Sequence, residues 1–206
     1  MFDAKLDQAL NLILRSWTHI AVLRALRDSA AGSSGNQDAR ASGMTPRSAF
    51  RALTALETLG VVRRQRGGRE HLFTLNRANH VVQHGLIPLL QLERELPEQV
   101  ENEMRSLLSR HVVSAVLFGS TARGEEKPGS DMDLCCIVRG EPEKEKVRTA
   151  LERSNTRLRD TFGIRISPIF FTVDEVRRKR ASALVRQMVN DGRVMVGKTL
   201  REVLHG

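Results

Sequence analysis

The sequence predicts a two-domain protein of mixed α+β and α/β class, with a mostly helical N-terminal domain and a C-terminal domain built on a sheet. Its 206 residues fit one large or two small domains. Helical apolar spacing over residues 6–60 leads into a basic hairpin, whereas strands and helices alternate after residue 112. We therefore predict domains at 1–85 and 97–206, joined by a connector over 86–96.

The N-terminal domain begins with a helical stretch over residues 6–27. Its apolar side is formed by Ile20, Val22, Leu23 and Leu26. A loop over 30–36 separates it from a short helix predicted over 36–42, which Gly43 ends. The two segments predict the first part of a small helical core.

The best-marked helix of this domain covers residues 45–60. Thr45 suits the N-cap, Pro46 the first helical position and Gly60 the position after the end. The spacing turns one side inward (Ala49, Leu53, Leu56) and makes the opposite side a polar stripe (Arg47, Arg51, Thr54, Thr58). Residues 61–76 then predict a two-stranded hairpin with its tip at Gly67–Gly68.

Two helices, a capped helix and a basic hairpin over residues 12–80 resemble the winged helix-turn-helix domain of bacterial and archaeal transcriptional regulators. The resemblance implies double-stranded DNA as a partner and a homodimer as the assembly. It implies recognition-helix contacts from Arg47, Ser48 and Arg51, and wing contacts from Arg63, Arg64, Arg66 and Arg69. Residues 1–85 hold twelve Lys/Arg and six Asp/Glu, a net +6 of the chain's +9. The alternative is a winged helix that serves only protein contact or dimerisation.

The C-terminal domain centres on residues 114–138, SAVLFGSTARGEEKPGSDMDLCCIV. Two short apolar runs predict buried strands, and between them we expect one or two helical turns followed by a loop. Gly119–Ser120 stands where the first strand meets a helix start, so backbone N–H groups converge there. Asp131 and Asp133 are two apart on the second strand, and two carboxylates on one face suit a hard cation such as Mg2+.

The string GSTARGEEKPGSDMDL, residues 119–134, resembles the signature of the DNA polymerase β type nucleotidyltransferase superfamily in its minimal form. The resemblance implies a mixed sheet with the site at one edge, and Mg2+ or Mn2+ with ATP or another nucleoside triphosphate as ligands. It implies that Asp131 and Asp133 are the catalytic metal ligands. It also implies that phosphate is held by Gly119, Ser120, Arg123, Gly124 and Ser130.

The superfamily carries a third carboxylate on a later strand, and this chain departs from the pattern there. Its next strand, predicted over residues 164–172, has Ser167 at the expected position and no Asp or Glu. Asp174 and Glu175 follow, and we interpret them as acids in the first turn of the next helix. The remaining elements predicted are a connector helix, a separate helix from about Pro97 to Arg110, a helix over 141–163, one helix over 173–192 and a final strand over 193–197.

Composition limits the alternatives. Cys135 and Cys136 are neighbours on a predicted core strand, which suits buried apolar side chains and a reducing cytoplasm. His80, His84 and His111 have a spacing that matches no metal site well. The N-terminus lacks signal-peptide features, and no apolar run is long enough to cross a bilayer.

Three functions remain open at this point. The first is an active nucleotidyltransferase that moves a nucleoside monophosphate, with AMP favoured, onto a hydroxyl, and that also binds DNA. The second is a DNA-binding transcriptional regulator whose degenerate nucleotidyltransferase domain only senses nucleotide. The third is an antitoxin-like partner of a HEPN-type toxin, because minimal nucleotidyltransferases often pair with such helical proteins.

Overall fold

A computed structural model describes residues 8–29, 31–67, 70–124 and 131–206. It confirms the predicted fold class, because the chain contains helices together with two separate sheets. The chain divides into two compact units, Met1–Glu95 and Leu96–Gly206. None of the helices in the described ranges is both long and apolar enough to cross a membrane.

The N-terminal unit is a helical bundle closed by a small sheet. In chain order its elements are α1 (Ala9–Ile13), α2 (Trp17–Arg27), β1 (Ser33–Ser34), α3 (Gly35–Ala41), α4 (Pro46–Thr58), β2 (Val62–Gly67) and β3 (Glu70–Leu75). The strands form one antiparallel sheet in the order β1-β3-β2. A π-helical turn, Val82–Leu86, then leads into α5 (Ile87–Leu108), which continues into the second unit.

The single helix predicted over residues 6–27 is wrong, because the chain breaks into α1 and α2 at residues 14–16. The Ser16 hydroxyl accepts a hydrogen bond from the backbone N–H of His19 at 3.3 Å and so starts a new helix. The predicted apolar side holds in part: Val22, Leu23 and Leu26 are buried, whereas Ile20 is half-buried.

The capped helix and the hairpin form as predicted. Thr45 caps α4, Pro46 is its first residue, and Ala49, Leu53 and Leu56 are buried. Gly60 has a φ of 74°, the left-handed conformation that ends many helices. Val62 and Phe73 anchor the hairpin in the core, and Gly67 pairs with Glu70. Gly68, part of the predicted tip, lies outside the described residues.

The C-terminal unit is a four-stranded sheet covered by helices on both faces. Its elements after α5 are β4 (Ser114–Leu117), α6 (Gly119–Arg123), β5 (Met132–Val138), α7 (Glu141–Phe162), β6 (Ile166–Thr172), α8 (Val173–Arg178), α9 (Ala183–Asp191), β7 (Arg193–Gly197) and α10 (Leu200–His205). The strand order is β6-β5-β4-β7, with β5 and β6 parallel and the other pairs antiparallel. The sheet is mixed, and β6 forms one edge.

Residues of β5 alternate between two apolar cores, as the two-residue period of a strand requires. Leu134 and Cys136 pack with α5 and α7 on one face, whereas Cys135 and Ile137 pack with α8, α9 and α10 on the other. Burial raises the pKa of the Cys135 thiol to about 12 and also raises that of Cys136. Both cysteines are therefore buried, free thiols, as the sequence indicates.

Two helix boundaries differ from the prediction. Pro97 was expected to begin a second helix, but α5 runs through it without a break. The helix predicted over 173–192 is two helices, since the Ser182 hydroxyl accepts from the N–H of Val185 at 3.3 Å and caps α9. A further helix, α10, was not predicted; its start is a capping box between Thr199 and Glu202.

Candidate functional site

The centre of the candidate site is the junction between β4 and α6. The backbone N–H of Phe118 donates to the carbonyl of Asp133 at 3.0 Å and ties this junction to β5. Gly119 follows with a φ of 73°, and a Cβ added there would collide with the carboxylate of Asp133. Glycine is favoured for two reasons: the backbone conformation disfavours a side chain, and a Cβ would force the adjacent carboxylate to shift.

The two predicted metal ligands lie at the start of β5. Asp131 is exposed and directly precedes the strand, whereas Asp133 is half-buried as its second residue. Asp133 lies on the same face as Cys135 and Ile137, the side covered by α8, α9 and α10. The structure therefore brings Gly119 and Asp133 into contact and leaves Asp131 at the rim.

The other predicted phosphate ligands are only partly visible. Ser120 is half-buried in the first turn of α6, and Gly124 follows that helix with a φ of 69°. Arg123 is the last residue of α6, but its side chain lies outside the described part of the structure, as does all of Ser130. The expectation of a helical turn after Gly119–Ser120 is confirmed by α6.

The register of β6 locates the position of the missing acid. Ser167 pairs directly with Asp133 across the parallel ladder, so its half-buried side chain faces the same side of the sheet. A carboxylate at 167 would lie beside Asp133. The serine that occupies this position can offer only a neutral hydroxyl.

Asp174 and Glu175 lie in the first turn of α8, as the sequence predicts for helix-start acids. The carboxylate of Glu175 accepts from the backbone N–H of Thr172 at 2.7 Å and pairs with Lys144 at 3.2 Å. The Thr172 N–H, followed by Lys144, lowers the pKa of Glu175, so this acid is held ionised by partners of its own. It serves as a helix cap.

The donor set fits a divalent cation held by two protein carboxylates. Within residues 8–29, 31–67, 70–124 and 131–206, no cluster of three or more His, Cys, Asp or Glu side chains could surround a metal ion. A cation held by Asp133, next to the Gly119 turn, and by Asp131 at the rim would have to take its other ligands from outside the described protein side chains. Mg2+ commonly binds in this way, through one or two carboxylates plus phosphate.

The predicted DNA-binding side chains lie on α4 and β2. Arg47 and Arg51 are exposed on α4, as are Arg63 and Arg66 on the hairpin. Among the described residues none of these four forms an ion pair. Ser48 is half-buried near the start of α4, and its N–H donates to Thr45. Arg69 lies outside the described residues.

Arg64 differs from its neighbours. Its guanidinium forms a salt bridge with Glu57, and it also stacks over Phe50 and Phe73 at 5.8 and 5.6 Å from the ring centres. The alternation of β2 explains this, because Arg64 shares the inward side with Val62. From the sequence alone, Arg64 could not be distinguished from the other predicted wing arginines.

A groove of about 670 Å3 lies beside α4 and adds residues that the sequence analysis did not single out. Ser48, Arg51 and Thr54 form one wall, and Arg15, Ser16 and Thr18 at the start of α2 form the other. The signal for this second wall is the Ser16 N-cap, which is visible only once the break between α1 and α2 is known.

One protein-family model matches part of the second unit. Residues 97–186 match the family model of the nucleotidyltransferase domain. A search of curated protein sequences gives no match.

Among solved structures, the chain is similar to the homodimeric winged helix-turn-helix DNA-binding domain of Mb0332 from Mycobacterium bovis, a possible ArsR-family transcriptional regulator. The identity is 22% and the TM-score 0.37, over 48% of this chain and 93% of that one. It is also similar to a chain from a toxin–antitoxin crystal structure with AMP-PNP, at 18% identity and a TM-score of 0.36, over 51% of this chain and 81% of that one. The family match is the more informative finding: the nucleotidyltransferase domain model covers the β4–α6 turn together with Asp131 and Asp133.

Proposed function

We propose that the C-terminal unit binds a nucleoside triphosphate with Mg2+ and transfers a nucleoside monophosphate, AMP in the favoured case, to a hydroxyl acceptor. The observation that carries this proposal is the contact between the Gly119 turn and Asp133, inside the matched nucleotidyltransferase domain. Phosphate oxygens and a metal-binding carboxylate need to meet within a few ångströms, and this junction provides such a place.

In this proposal each residue at the junction has its own task. Backbone N–H groups at Gly119 and Ser120 donate to phosphate oxygens, with further contacts from Arg123, Gly124 and Ser130. Asp131 and Asp133 hold Mg2+ or Mn2+, which when bound neutralises charge on the phosphates. The contribution of the protein is then mainly to position the triphosphate and to stabilise developing charge.

The position of Ser167 favours slow transfer. A neutral hydroxyl beside Asp133 neither adds charge to the metal site nor removes a proton from an acceptor at neutral pH. General-base help is typically worth about 10²- to 10⁴-fold in rate. The same observation supports a second candidate, in which this domain binds nucleotide as a sensor and transfers nothing.

For the N-terminal unit we propose binding to double-stranded DNA. The support is the arrangement of Arg47, Arg51, Arg63 and Arg66, all exposed on the helix and hairpin that a winged helix presents to DNA. A homodimer, a HEPN-type toxin partner and a cytoplasmic location stay predictions. So do the domain limits 1–85, 86–96 and 97–206.

Incubation with α-labelled ATP and Mg2+ or Mn2+ tests the proposed transfer. We expect slow labelling of protein or of an extracted small molecule, together with a rise in melting temperature from ATP–Mg2+. The matched control is Asp131→Ala/Asp133→Ala, which should lose the metal-dependent part of both signals. An unchanged melting shift in that variant would contradict the assignment of the two acids. A normal shift without any labelling would favour the sensor.

A further inference from the structure

Two histidines that look scattered in the sequence come together at the start of the helical segment after the wing. His80 and His84 are both exposed, and their ring centres lie 4.5 Å apart at an interplanar angle of 42°. The two rings form a pair within the N-terminal unit, distant in sequence from the carboxylates at 131 and 133. The transfer and DNA-binding proposals make no use of this pair.

The local backbone fixes this pair. The Asn79 side chain caps the helical segment, because its Oδ1 accepts from the N–H groups of Val81 and Val82 at 2.9 and 3.2 Å. His80 is the first helical residue, and His84 lies four residues later inside the π-helical turn. Residues four apart on a helix face the same side, so the cap sets the spacing of the rings.

The separation matches that of two imidazoles on one metal ion. A metal lies about 2.0–2.1 Å from an imidazole nitrogen, so each ring centre lies about 3.2 Å from the metal. Two rings at adjacent positions, with an angle of about 90° to 110° between them, then have centres about 4.5–5.2 Å apart. The observed 4.5 Å falls within that interval.

We propose that His80 and His84 chelate a divalent transition metal that prefers nitrogen ligands: Cu2+, Ni2+ or Zn2+. Imidazole is a good ligand for these ions and a poor one for Mg2+, and Cu2+ should bind most tightly of the three. Since no third His, Cys, Asp or Glu joins the pair among the described residues, the other coordination positions remain open to water or to an added ligand. The proposed site is therefore a two-histidine chelate at the surface, whose remaining coordination positions exchange water or an added ligand.

A metal bound there would join the first helical residue to the π-helical turn that follows. Because the metal would bind both histidines only when this turn is folded, metal binding should stabilise the turn and the start of α5. Single π-helical turns within α-helices are often found at functional sites.

Copper titration of the untagged full-length protein, in excess Mg2+ to occupy the carboxylates, tests the inference. We expect one Cu2+ per chain with nitrogen coordination in the electron paramagnetic resonance spectrum. His80→Gln and His84→Gln should each lower the affinity by about tenfold or more, because a single imidazole cannot chelate. The matched control is His71→Gln, which replaces another exposed histidine of the same unit.

Three results would overturn the inference. Retained affinity in the His80→Gln/His84→Gln double variant overturns the inference, as does an equal loss in His71→Gln. A spectrum with oxygen ligands alone also overturns it. Because the two rings are exposed, we expect the metal-free melting temperature of the variants to stay unchanged, and circular dichroism provides that check.

Discussion

The two units contain the same kind of contrast with opposite charges. In the N-terminal unit Arg64 is bonded to Glu57, whereas Arg63 and Arg66 on the same strand form no ion pair among the described residues. In the C-terminal unit Glu175 is bonded to Thr172 and Lys144, whereas Asp133 faces the Gly119 turn. A charged side chain identified in the sequence is therefore available to a ligand only if it does not already form a salt bridge or hydrogen bond with a neighbouring residue.

The largest expected effect comes from restoring a carboxylate where the chain has Ser167. Ser167→Asp places an acid beside Asp133, so the transfer rate should rise by up to about 10²- to 10⁴-fold and metal should bind more tightly. Labelled AMP incorporation measures the rate. In contrast, Glu175→Gln should leave transfer unchanged, because that acid caps α8.

A melting curve accompanies each variant, since an acid without a metal beside it would only destabilise the sheet. Robust transfer by the unaltered protein, undiminished in Asp174→Ala/Glu175→Gln, would show that two carboxylates suffice.

The next effect concerns the turn itself. Gly119→Ala should abolish the melting shift produced by ATP–Mg2+, because its Cβ would displace the carboxylate of Asp133. Gly163→Ala is the matched control: it has a similar φ of 71° but open space around the added Cβ, so it should cost only about 1 kcal/mol of stability. Equal ATP-dependent shifts in both variants would mean that the Gly119 turn does not bind the nucleotide.

A smaller effect distinguishes the arginines of the first unit. Arg51→Ala should weaken binding to duplex DNA by about 1–3 kcal/mol, and Arg66→Ala should lower the salt dependence by about one counterion. Arg64→Ala should affect DNA affinity least and the stability of the hairpin most, because Arg64 is already bonded to Glu57 and stacked on Phe50. Fluorescence anisotropy at several salt concentrations measures all three. If Arg64→Ala lowers DNA affinity as much as Arg51→Ala, the contrast between paired and unpaired arginines does not hold.

The last effect, similar in size to that of Arg51→Ala, concerns a buried carboxylate, Asp38. Asp38 is buried, Ser33 donates to one of its oxygens, and the other oxygen has no hydrogen-bond partner among the residues that the structure describes. Burial raises the pKa of Asp38, with the Ser33 hydrogen bond partly opposing the shift. The folded state therefore binds the proton more tightly, so the contribution of Asp38 to stability is greatest at acidic pH and falls as pH rises through its raised pKa.

Asp38→Asn removes that charge, and at pH 7 it should raise the free energy of unfolding by about 1–3 kcal/mol. Denaturant titration across pH measures it. The difference between the two proteins should shrink toward acidic pH, where Asp38 is protonated, and a constant difference would point to packing alone.

Much of the fold was predictable because its signals are local. Thr45, Pro46 and Gly60 mark the ends of α4 in the sequence, and the apolar runs mark β4 and β5. The errors arose where a serine acts as a cap only in context. Ser16 and Ser182 each begin a new helix inside a stretch with continuous helical periodicity. Pro97 does not begin a new helix, because helix-forming residues surround it and α5 continues through it.

The candidate site was harder to predict from the sequence than the fold, because its arrangement depends on which strands are neighbours in the sheet. The sequence shows that Ser167 stands in a strand without acids, but only the parallel register places it beside Asp133. Similarly, Arg63 and Arg64 are identical residues in adjacent positions. Because they lie on opposite sides of the hairpin, Arg63 is exposed whereas Arg64 packs over Phe73. His80 and His84 became a pair only when the Asn79 cap fixed the start of the helical segment.

The edge position of β6 has a consequence for the behaviour of the protein at high concentration. The N–H of Met132 donates to the carbonyl of Arg165 at 2.7 Å, so alternation directs the amides of Ser167 and Ile169 toward β5 and the nitrogen of Pro168 outward. Proline has no N–H to donate to an incoming strand. In addition, the guanidinium of Arg148 on α7 lies 5.3 Å from the ring centre of Phe170, a residue of β6. An incoming strand would find the hydrogen-bond ladder interrupted at its middle, which should discourage edge-to-edge aggregation of copies during synthesis and storage.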